Sequence, residues 1–334
     1  MAATIRDIKE RTGLSLATIS KYLNGGNVLP ENKIKIEAAI KDLHYEVNEI
    51  ARGLVTNKTR TIGVVVYSIE SLFNGTLLHY IADRLRKTGY GLLICDSVND
   101  EEVEAKNVRF LLNKKVDGIM VIPVAKKSHF LNPAKNAGVP IVLLDRSLPD
   151  SVFDCVRVDN SMAAYRAVNI LIKNRHKKIA VICSKEEYTG SERYKGFSLA
   201  MDQAGLEVPE IYQKMGTHSI EFGYKSMKQL LELKAPPTAV FMSNYEITLG
   251  AVMAVNESTY SCPKDISLLG FDDLILSHVV EPRMYMVVQP MKEMGEKAVD
   301  LLLNRIEHKE TGMPVEIVLG TRIQEGNSIM RLKR

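Results

Sequence analysis

The sequence predicts a small all-α N-terminal domain followed by an α/β core of two lobes, each a doubly wound parallel sheet. Residues 1–55 have helical apolar spacing and almost no strand-like runs. From Thr61 onward, short uninterrupted apolar runs alternate with amphipathic helices, a pattern typical of parallel strands buried on both faces. The alternation restarts after Asp154, so the core is expected to form two lobes with a cleft between them.

The first two helices are joined by a tight turn. Ile5 and Ile8 share a face of the first helix, and Gly13 supplies the turn. Ser15 can cap the second helix, whose Ile19 lies on the buried side. The outer face of the second helix carries small, hydroxylated and basic side chains: Leu16, Ala17, Thr18, Ser20 and Lys21. Such a face fits the DNA major groove, which is about 12 Å wide, although an ordinary surface hairpin of helices has the same pattern.

Two further helical segments precede the core. A helix is predicted over 31–43, with Ile34, Ala38 and Leu43 on its inner side. A shorter helix is predicted over 48–54, and it is too short to be stable alone. The chain therefore divides into a helix-turn-helix domain at 1–47, a hinge helix and linker at 48–60, and a core at 61–334.

The core strands and helices follow from the alternation. The predicted strands are 62–67, 90–95, 117–122, 140–145, 179–184, 238–243 and 266–271. The predicted helices are 74–88, 101–114, 128–137, 161–173, 190–204, 219–233, 246–257 and 291–308. Ligands of parallel sheets bind beyond the carboxyl ends of the strands, so the polar residues that follow each run are candidates for a binding site.

The composition is that of a globular intracellular protein. Of the 334 residues, 46% are apolar and 25% are charged, which allows a large core. No apolar run approaches the 18 or so residues of a membrane span, and the N-terminus has no apolar signal region, so a cytoplasmic protein is expected. The four cysteines lie far apart, which favours reduced thiols over disulfides or a zinc site.

Positive charge is concentrated in the head. Residues 1–60 carry ten Lys and Arg against seven Asp and Glu, whereas the whole chain has a net charge of +4. The excess is small, but its position suits contact between the head and a polyanion.

Enzymes are the first rival class. The sequence has no G-x-S-x-G, P-loop, H-E-x-x-H or dinucleotide fingerprint, and its seven histidines are scattered. No catalysis, metal or cofactor is therefore expected. A solute-binding protein is the second rival, and the missing signal region and the helical head argue against it.

Several blocks of the sequence resemble the LacI/GalR family of bacterial transcriptional regulators. They are the head segment T-I-x-D-I…G-L-S-x-A-T-I-S-K-x-L-N and the segments 99–123, 158–168, 193–206 and 265–273. Their order and spacing carry the resemblance across most of the chain. It implies a periplasmic-binding-protein-like core with lobes at about 61–159 with 291–321 and 160–290 with 322–334. It also implies a repressor that binds a palindromic operator as a homodimer, controlled by a sugar or related metabolite between the lobes.

The resemblance also implies roles for residues of the head and hinge. Leu16, Ala17 and Lys21 match positions that contact base edges. The positions that match phosphate contacts are Arg6, Ser15, Thr18 and Asn24. Ala51 and Leu54 match hinge residues of the minor groove, where a leucine wedges into a base step. The alternative for Leu54 is simple packing on the core.

In the cleft, the positions that match effector contacts are Asp145, Arg193, Asn244 and Asp272. Arg193 could instead pair with a surface acid, and Asp272 could cap a helix. Phe73 and Tyr245 stand where the chain departs from the usual polar family pattern. They favour a ligand with an apolar or aromatic face, or an occluded site.

Two expectations concern protein partners. The hinge and the V-V-Q-P segment resemble the catabolite-control branch of the family, which implies a phosphorylated phosphocarrier protein as an alternative regulator. Dimerisation is expected because one recognition helix reads only one half-site. The candidate dimer surfaces are the matching helix of the second lobe and the apolar stripe of the first core helix, Leu77, Leu78, Ile81 and Leu85, unless such a stripe simply packs on its sheet.

Overall fold

The head consists of three helices, α1 (Ile5–Thr12), α2 (Leu16–Leu23) and α3 (Pro30–Asp42). The computed structural model of the chain describes residues 3–46, 53, 58–272, 275–308 and 312–333. Gly13 ends α1 with φ +70°, a left-handed conformation that glycine adopts without strain, and its N–H donates to the Lys9 carbonyl. Ser15 caps α2, because its Oγ accepts from the Thr18 N–H at 3.1 Å.

The core of the head corrects one prediction. Ile36 and Ala39 of α3 are buried, together with Ile8 and Ile19, whereas Ile34 is 67% exposed. Ala38 is also exposed, and of the three residues predicted to face inward only Leu43 contacts the core. The spacing of 36, 39 and 43 defines the inner stripe of α3, and residues 34 and 38 lie outside it.

The core contains two sheets. The strands of the first are β1 (Thr61–Val66), β2 (Gly91–Asp96), β3 (Gly118–Val121), β4 (Ile141–Leu144), β5 (Asp154–Val158) and β11 (Glu316–Leu319). Those of the second are β6 (Ile179–Cys183), β7 (Gln213–Met215), β8 (Ala239–Met242), β9 (Ser267–Phe271), β10 (Tyr285–Val288) and β12 (Arg322–Gln324). The described helices are α4 (Leu72–Lys87), α5 (Glu101–Asn113), α6 (Asn132–Asn136), α7 (Asn160–Lys173), α8 (Tyr188–Gln203), α9 (Ile220–Leu231), α10 (Tyr245–Asn256), α11 (Leu276–Val279) and α12 (Met291–His308).

The two sheets have the same plan. The first has the order β11-β5-β4-β3-β1-β2 and is parallel throughout. The second has the order β12-β10-β9-β8-β6-β7, and β12 alone in it runs antiparallel to its neighbour. The chain passes between the lobes after β5, after β10 and after β11. The expected pair of parallel-sheet α/β lobes is therefore confirmed, and the carboxyl ends of the strands of both sheets face one cleft.

Burial explains which strands were predictable. The predicted strands are present, and the central ones are buried along their whole length except at Thr61 of β1, as continuous apolar runs require. The strands that the apolar pattern missed are β5, β7, β10, β11 and β12. β5 is interrupted by Asp154 and Arg157, which pair with Arg305 and Glu316, and the edge strands are only partly buried.

The first core helix packs inward. Leu77, Ile81 and Leu85 of α4 are fully buried with Ile62 and Leu302 in the core of the first lobe. The apolar stripe of α4 that was proposed as a dimer surface therefore packs on the sheet of its own lobe, as the alternative interpretation predicted. Among the described residues, no helix is long and apolar enough to cross a membrane.

Candidate functional site

A cavity lies between the lobes, at the carboxyl ends of the strands. It has about 280 Å³ of empty space, including solvent at its mouth. The first lobe lines it with Tyr67, Phe73, Asp145 and Arg146, and the second with Thr189, Arg193, His218, Asn244, Glu246 and Asp272. Most of these side chains are polar or charged, and they come from several different strand ends, as expected for a ligand site in this type of fold.

Two aspartates occupy corresponding positions on the two lobes. Asp145 follows β4 and Asp272 follows β9, and both have left-handed backbones, with φ of +62° and +68°. The N–H of each donates at 2.9 Å to a carbonyl of the next strand, Val156 for Asp145 and Val287 for Asp272. Non-glycine residues in this conformation concentrate at functional sites, and aspartate tolerates it better than most.

On the second lobe, Asp272 forms a buried ion pair with Arg193 of α8. Arg193 is 2% exposed, and its Nη1 lies 2.9 Å from Asp272 Oδ2. The other carboxylate oxygen accepts from Gln289 Nε2 at 2.6 Å. The Arg193 guanidinium also donates to the Ser243 carbonyl and lies 3.7 Å from the centre of the Phe271 ring. Arg193 thus pairs with a buried acid of the cleft rather than with a surface acid.

On the first lobe, Asp145 is less well satisfied. It is 3% exposed, and its Oδ1 has no hydrogen-bond partner within the described residues. Its Oδ2 lies 3.8 Å from Arg146 Nε, too far for a hydrogen bond. Burial raises the pKa of Asp145, and the positive charges of Arg146 and Arg193 only partly oppose this.

Arg146 links the two lobes. Its guanidinium stacks 4.4 Å from the centre of the Tyr67 ring, and Nη1 donates to the Pro123 carbonyl at 3.1 Å. Nη2 reaches Glu187 of the second lobe at 3.3 Å. Glu187 Oε2 also lies 2.8 Å from His218 Nδ1. Burial alone would raise the pKa of Glu187, but the hydrogen bond from His218 and the nearby positive charges outweigh it and hold that pKa below its usual value.

Asn244 and Glu246 form the second-lobe wall at the start of α10. Asn244 caps the helix, since its Oδ1 accepts from the Ile247 N–H at 3.0 Å. Its Nδ2 donates to Glu246 Oε2 at 2.7 Å, and burial raises the pKa of Glu246. Tyr245 is 7% exposed in the apolar core of the second lobe and is not among the described residues that line the cavity. Its predicted contact with a ligand is therefore corrected, because the first turn of α10 turns Tyr245 inward.

Glu104 supports the first-lobe wall from behind. This residue of α5 is fully buried, and its carboxylate accepts from the Val124 N–H at 2.7 Å and the Ala125 N–H at 3.0 Å. The carbonyl of the adjacent Pro123 accepts a hydrogen bond from Arg146. Burial raises the pKa of Glu104 to about 7, although both backbone hydrogen bonds oppose this shift.

The head exposes most of the side chains predicted to contact DNA. Leu16 is 40% exposed, and Arg6, Ser15, Ala17, Lys21 and Asn24 are exposed as well. Thr18 is half-buried, and its hydroxyl lies 2.9 Å from that of Ser15. Ala51 and Leu54, predicted to enter the minor groove, lie outside the described residues.

Comparisons with known proteins identify the family. A family model described as "Periplasmic binding proteins and sugar binding domain of LacI family" matches residues 59–320. The chain belongs to the LacI family. It is a DNA-binding transcriptional regulator, with a helix-turn-helix head and an effector-binding core.

The relatives of this LacI-family regulator include a named repressor and a named catabolite control protein. The HTH-type transcriptional repressor PurR of Haemophilus influenzae (strain PittGG) is 32% identical and aligns over 93% of each chain. Catabolite control protein A of Priestia megaterium is 32% identical over 93% of this chain and 94% of that protein. A solved complex of the transcriptional regulator CelR with cellobiose is 26% identical, with a TM-score of 0.73 over 98% of this chain and 99% of that one. The lac repressor dimer bound to operator is 22% identical with a TM-score of 0.89, covering 99% and 100%, and supports the fold alone.

Of the six predicted effector residues of this LacI-family regulator, the cavity brings together five: Phe73, Asp145, Arg193, Asn244 and Asp272. Sequence reasoning missed Tyr67, Arg146, Thr189, His218 and Glu246. Arg146 directly follows Asp145, and Glu246 lies two residues after Asn244. A search one or two residues further past each strand would therefore have found both. His218 follows β7, a strand that the apolar pattern did not reveal.

Proposed function

We propose that this chain represses transcription by binding a palindromic operator as a homodimer, under the control of a small molecule bound between its lobes. The observation that carries the DNA-binding part is the division of α2 into two faces. Ile19 is fully buried, while Leu16, Ala17 and Lys21 are exposed on the other side. Leu16 can contact a thymine methyl group, and Lys21 can bond to guanine.

Phosphate contacts would supply most of the affinity and its dependence on salt. We assign them to Arg6, Ser15, Thr18 and Asn24. Ser15 and Thr18 already share a hydrogen bond at the start of α2, so their hydroxyls are held where a phosphate approaches a helix N-terminus. The hinge residues Ala51 and Leu54 would enter the minor groove.

Control by the cleft follows from its position. The Arg146–Glu187 ion pair crosses between the lobes, so a ligand that contacts both sides shifts the balance between closed and open arrangements. Lobe orientation would set the separation of the two hinges and hence the fit of both heads to the operator. Such coupling is typically worth about 1–3 kcal/mol. The head, hinge and core are proposed to divide at residues 47 and 60.

The test is selection of operators from a random DNA library by the full-length chain. We expect a palindromic consensus and a dimer by analytical ultracentrifugation. Lys21→Ala should weaken binding and relax specificity at one position of each half-site, by about 1–3 kcal/mol. Lys41→Ala, which alters an exposed lysine on α3, is the matched control. A non-palindromic consensus, or equal effects of the two variants, would contradict the proposal.

The hinge needs its own measurement. Leu54→Ala should reduce both operator affinity and DNA bending, because the leucine wedge compensates for unstacking of a base step. Unchanged bending in a gel-shift assay would show that Leu54 packs on the core instead.

The phosphocarrier alternative is distinguished by adding a serine-phosphorylated phosphocarrier protein to the operator complex. Under the small-molecule proposal, this protein leaves operator affinity unchanged. An increase in affinity that requires the phosphate would instead favour the catabolite-control type of regulation.

A further inference from the structure

The charges that line the cleft do not balance once the internal ion pairs are taken into account. Three carboxylates face the cavity, those of Asp145, Glu246 and Asp272, against the guanidinium groups of Arg146 and Arg193 and the imidazole of His218, whose Nδ1 is bound to Glu187 at 2.8 Å. Arg193 is bound to Asp272 at 2.9 Å, and Arg146 is bound to Glu187 at 3.3 Å. Both arginines are therefore committed to carboxylates of the second lobe.

Two carboxyl groups of the cleft, one buried and one half-buried, have no hydrogen bond from a positively charged group: the nearest cation to Asp145 is Arg146, whose Nε lies 3.8 Å from Oδ2. Asp145 Oδ1 has no hydrogen-bond partner among the described residues, although the residue is only 3% exposed. Glu246 is held by a neutral donor, the amide of Asn244. Burial raises the pKa of both carboxyls, so each is costly to ionise in the ligand-free cleft. A cation placed between the lobes would offset this cost.

The surrounding groups indicate what kind of cation fits. Arg146 Nε is also buried without an acceptor among the described residues, so the ligand should offer an oxygen beside its positive charge. No group of His, Cys, Asp and Glu in the described part of the chain could hold a metal ion, which favours an ammonium group over a metal. Phe73 provides an apolar surface in the cavity wall, against which an apolar face of the ligand can pack.

We propose that the effector of this cleft is a compact hydroxylated molecule with a protonated amino group, as in an amino sugar. The ammonium group donates to Asp145 and lies beside Glu246, and a hydroxyl oxygen accepts from Arg146 Nε. The inference rests on the proposed function, in which the cleft takes a small ligand, and it specifies the chemical class of that ligand.

The test is isothermal titration calorimetry on the full-length chain with matched sugars. The probes are glucosamine, galactosamine and mannosamine, each compared with its N-acetylated form and its neutral parent hexose. At least one hexosamine should bind about 10-fold to 100-fold more tightly than both of its uncharged counterparts, the effect expected of hydrogen bonds to charged groups. Glu246→Gln should abolish most of this preference, and Glu232→Gln, at an exposed position, should preserve it.

A second measurement needs no ligand. Asp145→Asn keeps the shape of the side chain, and asparagine also tolerates the left-handed backbone at φ +62°. Because the variant removes a buried and poorly paired charge, we expect the melting temperature of the free protein at pH 8 to rise by roughly 2–4 °C. A fall in the melting temperature would mean that the protein itself satisfies Asp145, and would overturn the inference.

The remaining outcomes also decide the matter. Equal or tighter binding of a neutral hexose, or no binding of any hexosamine, refutes the amine-bearing class. Operator binding is measured separately by fluorescence anisotropy, first without sugars and then with each sugar added. If a neutral sugar changes operator affinity while no hexosamine does, this inference fails and the proposed function stands. If the chain binds no operator at all, the proposed function fails first.

Discussion

The two aspartates that face each other across the cleft are held in opposite ways. Asp272, on the second lobe, uses one oxygen to bind Arg193 and the other to accept from Gln289. Asp145, on the first lobe, has the same left-handed backbone, but its Oδ1 lacks a partner within the described chain. The same strand-end geometry therefore produces a self-contained ion pair on one side and an unsatisfied carboxyl on the other.

The difference indicates that the second-lobe edge of the cleft mainly supports the fold, whereas the first-lobe edge mainly binds the ligand. On the second-lobe edge the charged groups pair with each other, since Arg193 donates to Asn160, to the Ser243 carbonyl and to Asp272. The first-lobe edge relies on a neighbouring loop and on the opposite lobe to position Arg146. Substitutions on the second lobe should therefore affect folding most, and those on the first lobe should affect closure and ligand binding.

The largest effect on folding is expected for Asp272→Asn. An asparagine offers one acceptor where two donors, from Arg193 and Gln289, now point at the carboxylate. Its amide N–H₂ must face one of them, and the buried Arg193 loses its counter-charge. We expect the free energy of unfolding in urea to fall by about 3–5 kcal/mol.

The matched control is Asp300→Asn, which breaks the ion pair with Arg84. Both side chains of this pair are well exposed, at 37% for Arg84 and 47% for Asp300, so the loss should be at most about 1 kcal/mol. If the two variants lose similar amounts, the description of the second-lobe edge as a buried scaffold is wrong.

The next effect concerns Glu104, which supports the first-lobe edge through the loop beside Arg146. Its pKa of about 7 in the folded protein lies above the ordinary value of 4.5, so the folded chain binds the proton more tightly than the unfolded chain. Its contribution to stability is therefore greatest below pH 4.5 and is lost as the pH rises through 7. The loss amounts to about 3 kcal/mol, from 1.36 kcal/mol for each pH unit.

Glu104→Gln isolates this titration. The variant loses one acceptor for the two backbone N–H groups at every pH, but it has no proton to release. The stability of the natural chain relative to the variant should therefore decline between pH 5 and pH 8, as measured by urea unfolding. Glu102→Gln on the same helix, where the carboxylate is 87% exposed, should show no such trend. A difference independent of pH would mean that Glu104 stays ionised throughout this range.

The sequence alone predicted the parts of the fold that depend on continuous burial. The strand of 179–184 and its central neighbours are apolar along their length, and the helix of 291–308 was placed at its observed bounds. It did not reveal β5, because Asp154 and Arg157 interrupt the apolar run and are satisfied only by residues far along the chain. Long-range ion pairs of this kind leave no local pattern.

The same reasoning applies to the cleft. Asp145, Arg193, Asn244 and Asp272 could be identified by resemblance and by the strand-end rule, but the contacts between residues far apart in the sequence could not. The contact between Arg146 and Glu187 joins residues of different lobes, so its existence depends on how the lobes are arranged. Tyr245 was predicted to contact a ligand because it follows a strand. The first turn of α10 buries its side chain in the core of the second lobe instead.

The smallest of the three effects is expected at Glu187, where the two edges meet. Its carboxylate accepts from Arg146 at 3.3 Å and from His218 at 2.8 Å, and its side chain is 20% exposed. Glu187→Gln should lower the free energy of unfolding at pH 7 by about 1.5–3 kcal/mol, the range for hydrogen bonds to a charged group. Because the pKa of Glu187 is held below 4.5, the natural chain keeps this contribution above that pH and loses it as the pH falls through the folded-state value.

The difference in stability between the natural chain and Glu187→Gln should therefore shrink under acid conditions. Glu186→Gln, at the exposed neighbouring position, should match the natural chain at each pH. If the natural chain remains more stable than Glu187→Gln in acid, then packing rather than charge holds the two lobes together at Glu187.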